Sequence, residues 1–382
     1  MQQTAAEDLL AVGEGVLEEL GGPSEQALVA VSIVIAILLF AVVLWSRFER
    51  TLGDEFVDAI SVPEHICVLM HPNPDPDAMG SAMAVAALAK VVGTSATIQY
   101  PGEIRHPENR AFETVLDCSF ERVETASELA GDEVVLVDHN EPRGFGGADF
   151  IEPYAVIDHH PGNGEGEVFT DVRPERGACA SILTEYLRDR GWTNDSGGDE
   201  HAISPRLATG LLYGIQSDTT VFTRGCTPAE FEAAAFLFPA ADADSLDRIA
   251  NPEIDGDTLE LKAKAINDRK QEGSFLVSDV DTVSNLDALP TAAEELVRLE
   301  GVTVSVVMGK ADGTVHLSGR SRDDRVHMGK TLQRALGSLS DASAGGHARM
   351  GGGRVDLPVS EEVSGETVEL EPRLFAAMNG EL

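Results

Sequence analysis

Positive charge is scarce in this sequence. Its 382 residues include 28 Lys and Arg against 65 Asp and Glu, which leaves a formal net charge of -37, and only six of the cations are lysine. Proteins that bind duplex DNA usually carry a basic stripe, so the charge argues against a broad nucleic-acid groove. An acidic excess over the whole length is typical of adaptation to concentrated salt, where the Debye length is about 3 Å at molar ionic strength. The alternative is an acidic surface that recruits a basic partner.

Cysteine is sparse as well. The four cysteines, Cys67, Cys118, Cys179 and Cys226, are widely spaced and form no C-x-x-C pair. This pattern excludes a disulfide-rich scaffold. It predicts small buried thiols in a reducing cytoplasm.

A long apolar run occurs near the N-terminus. Residues 27–45 read ALVAVSIVIAILLFAVVLW without a charge, long enough to cross roughly 30 Å of hydrocarbon as a helix. The preceding tail has no Lys or Arg, which argues against a cleaved signal peptide, and Arg47 and Arg50 follow the run. We predict a single-pass transmembrane helix over residues 27–46, with the acidic tail 1–26 outside and the remainder in the cytoplasm.

Apolar strands alternate with helical patterns after this segment. This alternation predicts an α/β fold with a parallel sheet flanked by helices, in which ligands gather at the carboxyl ends of the strands. The predicted divisions are a catalytic domain over residues 52–240, a linker with a connecting helix over 241–272, and a smaller α/β substrate-binding domain over 273–376. The connecting helix is expected to run over residues 257–272.

The first predicted strand ends in HPNPDPDAMGSA, which places His71, Asp75 and Asp77 in one turn before a helix. All three side chains can bind metal ions. The alternative is structural: Asp77 caps the helix and Asp75 supports a proline turn.

Further carboxylates and imidazoles follow other apolar segments. VVLVD ends on Asp138, AVIDHH ends on Asp158, His159 and His160, and Asp218 lies on an otherwise apolar helix. A buried aspartate normally needs a partner or a metal. Four such segments supply more oxygen and nitrogen donors than one zinc requires, and they fit two divalent ions that share a carboxylate.

The motifs HPNPDPDAMGS, LVDHN, VIDHHPG and GIQSDTTVF, in this order, resemble the DHH phosphoesterase family. This family includes RecJ-type exonucleases, oligoribonucleases, cyclic di-AMP phosphodiesterases and manganese-dependent inorganic pyrophosphatases. The resemblance covers residues 63–356, most of the chain after the apolar run.

The resemblance implies a role for each of the quoted donors. One ion would be held by His71 and Asp75, and the other by Asp77, His159 and Asp218, with Asp138 bridging both. The implied catalytic residues are Asp138, His160, which would face the substrate phosphate or the attacking water, and Asp158, which would orient a ligand histidine. Mixed imidazole and carboxylate ligands favour manganese over magnesium, with cobalt as a further alternative.

Two downstream elements, SGRS and GGH, are similar to the family's substrate-binding domain. The resemblance implies that the substrate is bound by Arg320, Ser321, Gly345, Gly346 and His347. The glycine run before His347 is shorter here than is usual in the family. The alternative is that Arg320 forms a surface ion pair and that His347 lies in a flexible loop.

The expected function is metal-dependent hydrolysis of phosphodiester or phosphomonoester bonds in small nucleotides: short oligonucleotides, cyclic or linear dinucleotides, or 3′-phosphoadenosine 5′-phosphate. A RecJ-like single-strand exonuclease and a non-catalytic membrane nucleotide sensor are the alternatives. A pyrophosphatase is less favoured, because its lysine-rich C-terminal phosphate motif is missing. The expected partners are the nucleotide, the membrane and a second copy of the chain in a homodimer, without duplex DNA.

Overall fold

The structure is a computed structural model, and it describes residues 31–38, 50–131, 133–194, 201–339, 341–356 and 370–382. The described residues form two compact units. The first contains residues up to Ile104 together with Phe112–Ile249, and the second contains Arg105–Ala111 together with Ala250–Leu382. Apart from the short segment Arg105–Ala111, the chain leaves the first unit at Ile249, within the predicted linker.

Within the described ranges, no helix is long and apolar enough to cross a membrane. Residues 31–38 are helical, but the rest of the predicted span 27–46 and the acidic tail 1–26 lie outside the described residues. The transmembrane segment and the homodimer therefore stay predictions.

A six-stranded parallel sheet forms the centre of the first unit, in the order β3-β2-β1-β4-β5-β6. Its strands are β1 (His65–Leu69), β2 (Ser95–Pro101), β3 (Glu121–Val123), β4 (Val134–Val137), β5 (Ala155–Asp158) and β6 (Phe169–Val172). The chain runs outward from β1 to β3 and then returns to the other side of β1. The carboxyl ends of β1 and β4 therefore flank a topological switch point, where ligands of such sheets bind.

Helices pack around this sheet. They are α1 (Leu52–Ile60), α2 (Pro76–Val91), α3 (Pro107–Val115), α4 (Cys179–Asp189), α5 (Pro205–Asp218), α6 (Pro228–Leu237) and α7 (Ala243–Ala250). Helix α3 belongs to the first unit only from Phe112 onward. Residues of α2 are buried on all of its sides. Small residues let α5 approach it closely: a Cβ on Gly80 would lie 2.7 Å from the carbonyl oxygen of Gly210, and one on Gly214 would lie 3.0 Å from the Cα of Asp77. This approach places the C-terminal end of α5 beside the N-terminal end of α2.

The second unit contains a six-stranded mixed sheet in the order β11-β12-β10-β9-β8-β7, in which only β8 and β9 pair in parallel among its described strands. Its strands are β7 (Arg269–Glu272), β8 (Phe275–Thr282), β9 (Val304–Ala311), β10 (Thr314–Ser321), β11 (Ala342–Gly346) and β12 (Met350–Asp356). Its helices are α8 (Gly256–Asn267), α9 (Ala288–Leu296), α10 (Met328–Leu336) and α11 (Leu370–Asn379). The mixed α/β architecture expected from the sequence is confirmed.

One predicted element is wrong. The connecting helix ends at Asn267 rather than at residue 272, and residues Arg269–Glu272 form the edge strand β7. Gly273, with φ of 59°, allows a tight turn that pairs β7 with β8. Strand pairing therefore overrides the local helical tendency of this polar segment.

Candidate metal centre

Three neighbouring strands of the first sheet deliver potential metal ligands to one edge. His71 lies just after β1, Asp138 directly follows β4, and His159 directly follows β5. Asp138 has a positive φ of 62°, uncommon for a residue other than glycine. The chain therefore turns sharply at the position where its carboxylate is needed.

The first group of donors consists of His71, Asp75 and Asp138, whose donor atoms lie within 4.8 Å of one another. The Nε2 atom of His71 is 3.6 Å from Oδ2 of Asp75 and 3.4 Å from Oδ2 of Asp138. The Nδ1 atom of the same ring is 3.0 Å from the carbonyl oxygen of Pro72, so it donates there and Nε2 faces the carboxylates. Asp75 is also the N-cap of α2, and its Oδ1 accepts from the backbone of Asp77 and Ala78 at 3.1 Å.

The second group consists of Asp77, His159 and Asp218, with the same spread of donor atoms. The Nε2 atom of His159 is 3.2 Å from Oδ2 of Asp218 and 3.7 Å from Oδ2 of Asp77. Asp77 does not cap its own helix, which was the structural alternative. Its carboxylate accepts from the backbone N–H groups of Cys179 at 2.6 Å and Ala180 at 2.8 Å, at the start of α4.

Asp138 lies between the two groups. Its Oδ2 faces His71, and its Oδ1 is 3.2 Å from Nε2 of His159. Among the described residues, both oxygens of Asp138 and Nε2 of His159 are buried without a hydrogen-bond partner. Burying such atoms without a partner is costly, so the arrangement fits cations as their missing partners.

The protonation equilibria reflect this crowding. Burial would lower the pKa of His71, but the carboxylates of Asp138 and Asp75 outweigh it and raise the pKa to about 11. Burial likewise opposes the charged form of His159, whose pKa rises to about 12 beside Asp138 and Asp218. Burial raises the pKa of Asp77 well above its usual range, and the charges of Asp138 and Asp218 add to the shift. Taken together, the two groups contain more carboxylates than histidines that could balance their charge.

Asp158 and His160 lie next to these donors. Asp158 is buried, and its Oδ1 accepts from the backbone N–H of His159 at 2.7 Å and lies 2.9 Å from Nδ1 of His160. Its other oxygen accepts from Nδ2 of Asn140 at 2.7 Å. The hydrogen bond with Asp158 raises the pKa of His160, whose side chain is 51% exposed. His160 therefore presents its Nε2 edge to solvent.

Arg320 and Ser321 lie at the end of β10 in the second unit. The Arg320 side chain is mostly buried and already paired: Nε donates to Oε2 of Glu294 at 3.0 Å, and Nη1 donates to the carbonyl oxygen of Gly319 at 3.1 Å. The hydroxyl of Ser321 is buried and donates to the carbonyl oxygen of Asp323 at 3.0 Å. The ion pair considered for Arg320 is thus present, and Ser321 is satisfied internally.

His347 lies in the turn between β11 and β12, and its side chain is exposed. Its backbone is held on both sides, since its N–H donates to the carbonyl oxygen of Met350 at 2.8 Å and its own carbonyl accepts from Gly329 at 3.0 Å. Gly346 has φ of 136°, and a Cβ there would lie 2.4 Å from the Met350 oxygen, whereas Gly345 has open space. The turn is therefore well defined, and the imidazole projects from it.

Sequence reasoning missed three residues that support the centre. Asn140 holds Asp158, the carbonyl oxygen of Arg176 lies 3.2 Å from Nδ1 of His159, and buried Glu230 accepts from the backbone of Gly177. The only available signals were the asparagine that follows DH in LVDHN and the capping-box spacing of Thr227 and Glu230. Neither signal indicates a metal centre, because Asn140 and Glu230 contact residues around the donors and are not donors themselves.

A parallel sheet with imidazole and carboxylate donors at its switch point can bind divalent ions, which polarise phosphoryl groups and activate water. The chain matches the model of the DHH family, N-terminal domain, over residues 65–215, and that of the DHHA1 domain over residues 272–369. It belongs to the DHH family of phosphoesterases, as its motifs predicted. The donor set and this membership support a divalent metal ion.

Two curated relatives illustrate the family. An uncharacterized protein of Methanocaldococcus jannaschii is 36% identical over 300 residues, which cover 78% of this chain and 59% of that protein. The chain thus spans less than two thirds of that relative. A probable manganese-dependent inorganic pyrophosphatase of Bacillus mycoides is 32% identical over 258 residues, which cover 65% of this chain and 79% of the relative.

Among solved structures, an exopolyphosphatase-related protein from Bacteroides fragilis superposes with a TM-score of 0.65. The match covers 86% of this chain and 96% of that one, at 15% sequence identity. Likeness at this level of identity concerns the fold alone.

Proposed function

We propose that this protein is a two-metal, manganese-type phosphoesterase that hydrolyses phosphodiester or phosphomonoester bonds of small nucleotides. The observation that carries the proposal is Asp138, a buried carboxylate whose two oxygens face separate groups of donors. One ion would be held by His71, Asp75 and Asp138, and a second by Asp77, His159, Asp218 and Asp138. Ions in these positions would supply charge neutralisation at the phosphoryl oxygens and activation of water.

The residues of the chain have separate tasks in this proposal. Asp75 and Asp77 are fixed by backbone N–H donors, and the two ligand histidines are fixed through Nδ1, so all four present donors in set directions. Such fixation lowers the reorganisation needed when the substrate arrives. Because both ligand histidines have raised pKa values, binding of ions would release protons and would strengthen as pH rises.

His160 is the proposed proton donor or phosphate contact. Asp158 holds its Nδ1 and favours the imidazolium, which leaves Nε2 available to a phosphoryl oxygen or to the leaving oxygen. Its half-exposed position at the edge of the centre suits contact with a substrate.

The second unit is proposed to hold the remainder of the nucleotide. Arg320 and His347 would contact phosphate, with the fixed glycine turn beside His347 admitting close approach. Inorganic pyrophosphate is the second candidate substrate, because a probable manganese-dependent inorganic pyrophosphatase is 32% identical to this chain over 258 residues. The acidic composition favours a small substrate over a long nucleic-acid strand.

The proposed location is the cytoplasmic face of the cell membrane, with the segment 27–46 as a single-pass anchor. Support comes from its uncharged sequence and from Arg47 and Arg50 after it. Protease added outside intact cells should reach only the tail; removal of a tag placed at Leu382 would contradict the orientation.

The decisive experiment assays the full chain in concentrated salt with Mn2+ against pyrophosphate, cyclic di-AMP, linear di-adenylate, 3′-phosphoadenosine 5′-phosphate and a longer DNA strand. The highest kcat/KM is expected for one of the small nucleotides. If pyrophosphate is turned over fastest, the substrate is inorganic pyrophosphate, the second candidate, and not a nucleotide. Binding of nucleotide without turnover of any substrate would indicate a sensor instead of an enzyme.

A further inference from the structure

The two groups of donors are held in place in different ways. Among the described contacts, His71 and Asp75 bond within their own loop, to the carbonyl oxygen of Pro72 and to the backbone of Asp77 and Ala78. The first group is therefore positioned mainly by local chain geometry and by the shared Asp138.

The second group depends on a distant segment, residues 173–181, here named the brace. Its backbone donates to Asp77 from Cys179 and Ala180, and its Arg176 carbonyl oxygen accepts from Nδ1 of His159. Two of the three donors in the second group are thus oriented by the main chain of one segment. A shift of that segment would move both donors together.

Buried Glu230, on α6, is the residue that fixes the brace. Its Oε1 accepts from the backbone N–H of Gly177 at 3.0 Å and from the hydroxyl of Ser181 at 2.8 Å. Its Oε2 accepts from the backbone and hydroxyl of Thr227 at 2.6 and 2.7 Å. Glu230 is fully buried; burial opposes its charge, but these hydrogen bonds lower its pKa. The ionised carboxylate therefore connects the brace to the loop that follows Asp218.

Two further contacts limit movement of the brace. A Cβ on Gly177 would lie 2.5 Å from the carbonyl oxygen of Gly225, so the two turns are packed without room for a side chain. Glu185, on α4, pairs with Arg173 at 2.9 Å and also contacts Arg176. Both contacts involve the brace, and neither involves His71 or Asp75.

We propose that Glu230 is a positioning residue that selectively sets the metal affinity of the second group, Asp77, His159 and Asp218. This inference rests on the proposed metal sites. Glu230 acts through the brace and makes none of its described contacts with a donor of the first group. Loss of a residue that hydrogen-bonds a metal ligand directly typically costs about 10- to 100-fold in metal affinity, and Glu230 lies one hydrogen bond further from the ligands.

The test measures Mn2+ binding to the full chain without substrate, by titration calorimetry and by the electron paramagnetic resonance signal of free Mn2+. His71→Ala and Asp218→Asn identify which binding step belongs to which group, since each removes one donor. Glu230→Gln is expected to weaken the step assigned to the second group by about 10-fold, the lower end of the range for direct partners of ligands, and to leave the other step unchanged. Glu232→Gln, an exposed position on the same helix, is the matched control and should bind like the wild type.

The outcomes separate the two proposals. A wild-type chain that binds no Mn2+ would overturn the metal sites themselves. The selective role would be overturned by either of two results in a wild-type chain that shows two binding steps. In one, Glu230→Gln binds Mn2+ like Glu232→Gln; in the other, Glu230→Gln weakens both steps equally. If Glu230→Gln does not fold, Glu185→Gln tests the brace from its other side, with the same selective loss expected and an equal or absent effect overturning the proposal.

Discussion

Both units place their candidate functional residues at the ends of strands, but they treat the polar groups there in opposite ways. In the first unit, the carboxylate oxygens of Asp138 and the Nε2 atom of His159 are buried without hydrogen bonds. In the second unit, Arg320 is paired with Glu294 and the backbone, and the ring of His347 faces solvent. In the proposed function, cations supply the missing partners of the first centre, whereas the polar groups of Arg320 already have partners.

Because of this difference, the residues of the first unit are stronger evidence for a functional site than those of the second. Burying polar atoms without hydrogen bonds is costly, and the ion pairs of Asp138 with His71 and His159 leave those atoms without them, so the first centre favours a compensating cation. An exposed imidazole and a guanidinium with hydrogen-bond partners leave no buried polar group unsatisfied, so they also occur where no ligand binds. The comparison predicts that substitutions in the first unit remove the chemistry, while substitutions in the second change only substrate preference.

The largest effect is expected for Asp138→Asn. The neutral amide keeps the shape but loses the charge shared by both groups, so nearly all turnover should disappear and Mn2+ content should fall. Asp149→Asn, at an exposed position of the same unit, is the control. Turnover above about a tenth of the wild type with full metal content would contradict the two-metal proposal.

His160→Gln should lower kcat by about 10²- to 10⁴-fold, the usual contribution of a general acid or base. Mn2+ content should stay at the wild-type level, because Asp158 already holds Nδ1 of His160. Loss of metal together with turnover would instead identify His160 as a ligand.

The pH profile tests the same pair. The Asp158 carboxylate raises the pKa of His160, so the protonated form persists to higher pH than in a free imidazole. Asp158→Asn removes that charge and lowers the pKa, so the alkaline limb of the kcat profile should move to lower pH. An unchanged limb would show that His160 does not act in its protonated form.

Removal of metal should destabilise the first unit. Chelation leaves the Asp138 oxygens and Nε2 of His159 buried without partners, whereas Mn2+ at about 100 times its Kd should add about 2.7 kcal/mol to the free energy of unfolding. The measurement is Tm by calorimetry with chelator and after return of Mn2+. The Asp138→Asn variant is the control, and its Tm should change much less. A wild-type Tm that does not change with chelator would contradict the proposed metal centre.

The smallest effects are expected in the second unit. Arg320→Ala and His347→Ala should each weaken transition-state binding of a dinucleotide by about 1.5 to 3 kcal/mol, the range for a lost charged hydrogen bond. A small chromogenic phosphoester should be hydrolysed almost as before. Arg325→Ala is the matched control, because this arginine is 87% exposed and pairs only with Asp323 among its described ion pairs.

Equal losses on the dinucleotide and the small phosphoester would indicate a folding defect in these variants. No loss on either substrate would show that the second unit does not bind the nucleotide. Either result would contradict the proposal that the first unit carries the chemistry and the second unit binds the nucleotide.

Local features of the centre could be predicted from the sequence because short-range chain geometry determines them. Apolar runs followed by His71, Asp138 and His159 indicate strands that end in donor residues, and the periodicity after Asp75 indicates the start of a helix. The order of the motifs was sufficient to name the family. None of these features requires knowledge of which segments approach each other in space.

The support of the second group was decided only by the tertiary structure. Asp77 receives its hydrogen bond from Cys179 across 102 residues, and Glu230 reaches Gly177 across 53. Such contacts depend on how closely α5 packs on α2 and how the turn at Gly177 meets Gly225, which no local pattern encodes. Local geometry thus determined which residues stand at the strand ends, and long-range packing decided how rigidly they are held.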